Sequence, residues 1–99
     1  SHINAVKRNP KDPQAHFKLG LVFQEQEMFE QALSEFIYTI RLHPQHKLAY
    51  YHAARMYDRQ LLKDQTIAFC KQFVNMLQVR EHAKKKSWCV KRVKALEFE

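Results

Sequence analysis

Residues 13–44 read PQAHFKLGLVFQEQEMFEQALSEFIYTIRLHP, and the fold turns on this stretch. Asp12-Pro13 is a helix start, an acidic cap followed by the residue best suited to the first helical position. His16, Leu19, Gly20 and Phe23 then recur at helical spacing, which predicts a helix over 13–26. Phe29, Ala32, Leu33, Phe36, Ile37 and Ile40 form the clearest amphipathic stripe in the chain. That second helix must stop at Leu42-His43-Pro44, because proline disfavours helical geometry in the residue before it. Gly20, in mid-helix, costs about 1 kcal/mol relative to alanine, so its use points to a backbone that comes close to a neighbour.

The stretch is not unique within the chain. Pro10, Pro44 and Gln78 stand 34 residues apart, with Ala5-Val6, Thr39-Ile40 and Phe73-Val74 at the same offset before them. The match extends through Ala15/Ala49, Phe17/Tyr51, Gly20/Ala54, Phe23/Tyr57, Gln26/Gln60, Glu30/Asp64 and Leu33/Ile67. A fixed period of this length denotes stacked repeats, whose usual product is a surface for holding other proteins. The second pair is predicted as helices over 47–60, through Ala49, Tyr50, Ala53, Ala54 and Tyr57, and over 64–77, through Ile67, Cys70, Phe73, Val74 and Leu77. A break falls at Leu61-Leu62-Lys63, and a fifth helix over 81–97 carries Ala83, Val90, Val93 and Leu96 among many charges. The expected fold is all-α, a solenoid of antiparallel helix pairs joined by short loops. Its parts are a repeat tail and linker (1–12), repeat one (13–46), a degenerate repeat two (47–80) and a C-terminal capping helix (81–99).

Composition narrows the function classes. Hydrophobic residues make up 45% of the chain, too many for a disordered tail. One glycine and three prolines are too few for a sheet rich in tight turns. No apolar run approaches the ~20 residues of a membrane helix. The net charge of +7 is concentrated near the end, where Arg80, Lys84, Lys85, Lys86, Lys91, Arg92 and Lys94 face only Glu81. Cys70 and Cys89 are too few for a disulfide framework, and a reduced compartment, hence the cytoplasm, is the simpler inference. Cys70 falls where repeat one has Phe36 and reads as a small buried hydrophobe.

Leu19-Gly20, Phe23, Phe29, Ala32, Phe36 and Pro44 resemble the tetratricopeptide repeat, the 34-residue helix–turn–helix family, with His16 where that family favours tryptophan. Repeat two resembles it through Tyr50, Ala53-Ala54, Tyr57, Ile67 and Phe73. It departs at Lys63, Thr66, Cys70 and Gln78, which predicts less regular packing of its second helix. Ile3 to Pro10 reads as the tail of a repeat without its front, so the chain is expected to come from a longer array, with Ser1-His2 a remnant foreign to it. The edge carrying Ile3 and Val6 is then expected to self-associate. The resemblance also implies a right-handed superhelix, with the fifth helix as its polar cap. In that role Val90, Val93 and Leu96, with Trp88, are expected to cover Phe69, Phe73 and Leu77.

The resemblance further implies that the first helix of each pair lines a concave groove. Carried over by position, that groove takes Gln14, Phe17, Leu21, Gln24 and Glu25 from repeat one, and Leu48, Tyr51, Arg55, Asp58 and Arg59 from repeat two. Tyr51, Arg55 and Arg59 share one helix face, and their types are enriched at binding hot spots. Equally open is a surface on which Asp58 and Glu25 neutralise the arginines. The partner expected is another protein, a peptide or helix that is acidic and partly apolar. The family's two-carboxylate clamp is not expected, since Phe17, Leu21 and His52 stand where its donors would be.

Other chemistries find less support. His43 and His46 flank Pro44 beside His52, but lack the four clear donors of a zinc site, so no metal is expected. There is no Gly-rich phosphate loop, no paired carboxylates and no base positioned for Cys89, so neither catalysis nor a cofactor is expected. The alternative function is nucleic-acid binding by Lys84, Lys85, Lys86, Lys91 and Arg92, with Trp88 as a stacking aromatic.

Overall fold

The computed structural model of the chain describes residues 2–99, and Ser1 lies outside the described residues. Six helices follow one another: α1 (His2–Arg8), α2 (Pro13–Glu25), α3 (Phe29–Leu42), α4 (Lys47–Arg59), α5 (Lys63–Met76) and α6 (Ala83–Glu97). No strand occurs among the described residues. The Asp12 carboxylate accepts from the Gln14 N–H at 3.0 Å, with Pro13 in the first turn. His46 caps α4 in the same way, its Nδ1 accepting from the Ala49 N–H at 3.2 Å.

Each helix packs chiefly on its neighbours in sequence, giving an elongated body of 44 × 28 × 20 Å. Two cores lie along it. The first joins Phe17, Ala32, Phe36, Ala49, Ala53 and Met56; the second joins Tyr51, Ala54, Cys70, Phe73 and Cys89. The turns within both pairs are alike: Glu27 and Leu61, one repeat apart, adopt left-handed backbone at φ 59° and 62°.

Gly20 owes its place to Phe36. A methyl group built on it would lie 2.6 Å and 2.8 Å from the Phe36 ring, which is fully buried and has nowhere to swing. One repeat on, the partners change size together: Ala54 replaces the glycine and Cys70 the phenylalanine. Gly20→Ala is therefore expected to destabilise the fold although it improves helix propensity by about 1 kcal/mol. Overpacking of this kind costs about 1–3 kcal/mol, and urea unfolding of the variant measures the difference. A variant at least as stable as the parent would show that the approach is not tight.

Three expectations change. First, α5 is a regular helix with Thr66, Cys70 and Phe73 all fully buried, so the degenerate repeat packs well. Thr66 manages this by donating its hydroxyl to the Leu62 carbonyl at 2.9 Å. Second, α6 starts at Ala83 rather than 81, because residues 77–82 form a longer connection with Arg80 and His82 at φ 68° and 47°. Third, α6 is rolled so that Cys89 and Leu96 are buried, with Trp88 and Val93 packed on the second core. Val90 instead lines an open hollow with Val74, Val93 and Lys71. The small Cys89 thiol lies against Cys70, where a hydrogen bond between the thiols and burial push the Cys70 pKa up.

Candidate functional site

The first helices of the pairs, α2 and α4, present one face of the body together, and α6 continues it. Where α2 and α4 end, beside the α2–α3 turn, a hollow of about 210 Å³ is lined by Gln24, Glu27, Phe29, Arg55, Met56 and Arg59. Arg59 lies over the Phe29 ring at 4.7 Å from its centre, and the nearest carboxylate, Glu27, is 4.0 Å away. Arg55 donates to the Tyr51 hydroxyl at 3.1 Å, and its guanidinium lies 5.2 Å from the Trp88 ring centre. Neither arginine meets Asp58, whose carboxylate is taken by Arg92 of α6 at 2.9 Å. Among the described residues Arg55 has no carboxylate partner at all.

The remaining residues carried over from the repeat pattern fall into two groups. Phe17 and Tyr51 are buried in the two cores, 6% and 5% exposed, so of Tyr51 the groove sees chiefly the hydroxyl that holds Arg55. Helical spacing had placed these rings on the correct helices but not their depth. Leu21 and Leu48 are partly buried against the first core. Gln14 and Gln24 stay polar, accepting from His46 Nε2 at 3.2 Å and from His52 Nδ1 at 3.0 Å. Glu25 is exposed.

His46, which caps α4, and His52, within it, have structural roles. His52 is packed among Phe17, Phe36 and Tyr51. Burial, then the charges of Arg55, Lys85 and His46, lower its pKa to about 4. His46 is shifted down too, by burial and by His43. Among the described residues no group of three or more His, Cys, Asp or Glu is gathered as a metal site. His16, in the tryptophan place, is buried; its ring nitrogens face the Pro10 carbonyl at 2.6 Å and Glu35 at 2.8 Å, and it stacks on Tyr38.

The basic helix α6 divides. Lys84, Lys86 and Lys91 are exposed, whereas Arg92 is paired with Asp58 and Lys85 lies 5.8 Å from the Tyr51 ring centre. Trp88 is half-buried against the core that holds Phe73, neither fully sunk nor free among the lysines. It meets Tyr51 edge-on at 5.9 Å under Arg55. One signal for this arrangement was present in the sequence: Lys47/Glu81 and Asp58/Arg92 are opposite charges 34 residues apart, and both pairs form at 2.9 Å.

Compared by sequence, the chain matches no family model and no curated protein. Compared by structure, it is similar to a tetratricopeptide repeat domain protein from Salinibacter ruber, solved by solution NMR. The two superpose with a TM-score of 0.71 over 91% of each chain, at 21% sequence identity. The chain has the tetratricopeptide repeat fold. Within that fold α2 packs chiefly on α3 and α4 on α5, and α6 packs on α5. None of its helices, among the described residues, is long and apolar enough to cross a membrane.

Proposed function

We propose that this chain is a protein–protein interaction module that holds a peptide or helix of a partner along the face of α2 and α4. The observation that carries this reading is the pair of arginines one helical turn apart, Arg55 and Arg59, beside the apolar Phe29 and Met56 in one hollow. Charged donors beside an apolar floor suit a ligand with both acidic and apolar side chains. Self-association through α1, where Ile3 is 49% exposed, is proposed as a separate contact.

The test selects binders for the full chain from a random peptide library and measures them against Arg55→Glu/Arg59→Glu. The double variant is expected to keep its helicity by circular dichroism and to lose the selected peptides. Peptides that bind both proteins equally would place the site elsewhere. A second reading, nucleic acid, rests on the outward hollow where Arg80, Lys86, Lys91 and Lys94 surround Val90 without an acid. Salt-sensitive binding of single-stranded RNA that survives the groove change but vanishes in Lys84→Gln/Lys86→Gln/Lys91→Gln would put that reading first.

A further inference from the structure

Five cations of α4, α5 and α6 fall into two sets. Lys47, Lys71 and Arg92 each meet a carboxylate at 2.9 Å: Glu81, Glu97 and Asp58. Arg55 and Lys85 meet aromatic rings instead. Arg55 lies 5.8 Å from the Tyr51 centre and 5.2 Å from Trp88, and Lys85 lies 5.8 Å from Tyr51. Neither has an acidic neighbour in an ion pair among the described residues. The two positive charges thus bracket one tyrosine from two different helices, both half-buried, where solvent and salt screen them less than at an open surface.

We propose that α6 is a wall of the binding groove, and that Arg55, Lys85, Tyr51 and Trp88 form a seat for an acidic side chain flanked by an apolar one on a partner's peptide. This rests on the groove reading above and names its ligand. Arg55 uses one N–H on Tyr51 and keeps the rest of its planar fork, which matches a carboxylate in two-point contact. The rings beneath both cations hold them in place before a ligand arrives, so less freedom is lost on binding. Trp88, half-buried under Arg55, keeps part of its ring at the surface for the ligand's apolar neighbour. Burial first, and after it the same two cations, disfavour a proton on the neighbouring His52.

Trp88 is the only tryptophan, so its fluorescence reports on the seat directly. The probes are two synthetic peptides of alternating Glu and Leu, or Gln and Leu, titrated into the full chain at low and moderate salt. The Glu peptide is expected to change Trp88 emission saturably and to bind about tenfold or more tighter than the Gln peptide, with salt narrowing the gap. Arg55→Gln and Lys85→Gln should each lose about tenfold for the Glu peptide and little for the Gln peptide, with unchanged thermal melts. Equal binding of the two peptides, or no binding of either, overturns the acidic seat. If library-selected peptides still depend on Arg55 and Arg59 in that case, the groove reading stands without it. Full affinity in Lys85→Gln would remove α6 from the site.

Discussion

A chain ended at Gln78 is expected to lose its cooperative thermal transition and to aggregate on size-exclusion chromatography. Removing α6 uncovers Cys70 and Phe73, both fully buried, and withdraws the buried Cys89 and Leu96 with the partly buried Trp88 and Val93. Each large apolar side chain buried contributes about 1.5–3 kcal/mol, a large share of the ~5–15 kcal/mol that holds a small domain together. The cut also removes Arg92 from Asp58, leaving a carboxylate only 19% exposed without its partner. Two helix pairs are fewer than the ~3 repeats such arrays generally need, so little is in reserve. A folded, monomeric 1–78 chain with a sharp melt would show instead that α6 is an appendage.

Acid is expected to weaken the fold well before the carboxylates titrate. His52 has an ordinary pKa of 6.5 when unfolded and about 4 when folded, because the buried ring resists a charge beside Arg55 and Lys85. Below pH 6.5 the unfolded chain therefore takes up a proton that the folded chain refuses. The resulting stability is present in full above 6.5, declines as the pH falls and is gone near 4. At 1.36 kcal/mol per pKa unit the loss amounts to roughly 3 kcal/mol, and the lowered pKa of His46 acts in the same direction. Urea unfolding at several pH values measures the slope, with His52→Gln as the reference that cannot be protonated. Parallel stability curves for the two proteins between pH 4 and 7 would refute this assignment.

Much of the fold could be read from residue spacing. Gly20 marked a tight contact, although the Phe36 ring and not a neighbouring backbone fills it, and the 34-residue period set α2 to α5 to within a residue or so of their observed ends. The period failed at α6 because the 77–82 connection turns on Arg80 and His82, whose left-handed backbones carry no glycine to announce them. The site was legible in part. Helical spacing put Arg55 and Arg59 on one face, but a one-dimensional pattern does not fix how far a helix rolls about its axis. Phe17 and Tyr51 therefore went into the cores, and Trp88, packed on the second core as expected, also came under Arg55. The reach of Asp58 to Arg92 was written in the 34-residue offset of two opposite charges, a pairing that the helix-face reading of Asp58 passed over.

The links from Lys47 to Glu81 and from Asp58 to Arg92 leave opposite ends of α4 and reach α6 or the turn before it. Under the groove reading proposed above, they would act as two tie rods, and a thicker guest that spread α4 from α6 would stretch both. Lys47 and Glu81 are each 31% exposed and stand in reach of dissolved ions, whereas in the other pair Arg92 is 35% exposed and Asp58, at 19%, is sheltered. Salt would then slacken the rod at the start of α4 before the other, and the coil would flex as a hinge about the Asp58 end instead of spreading evenly.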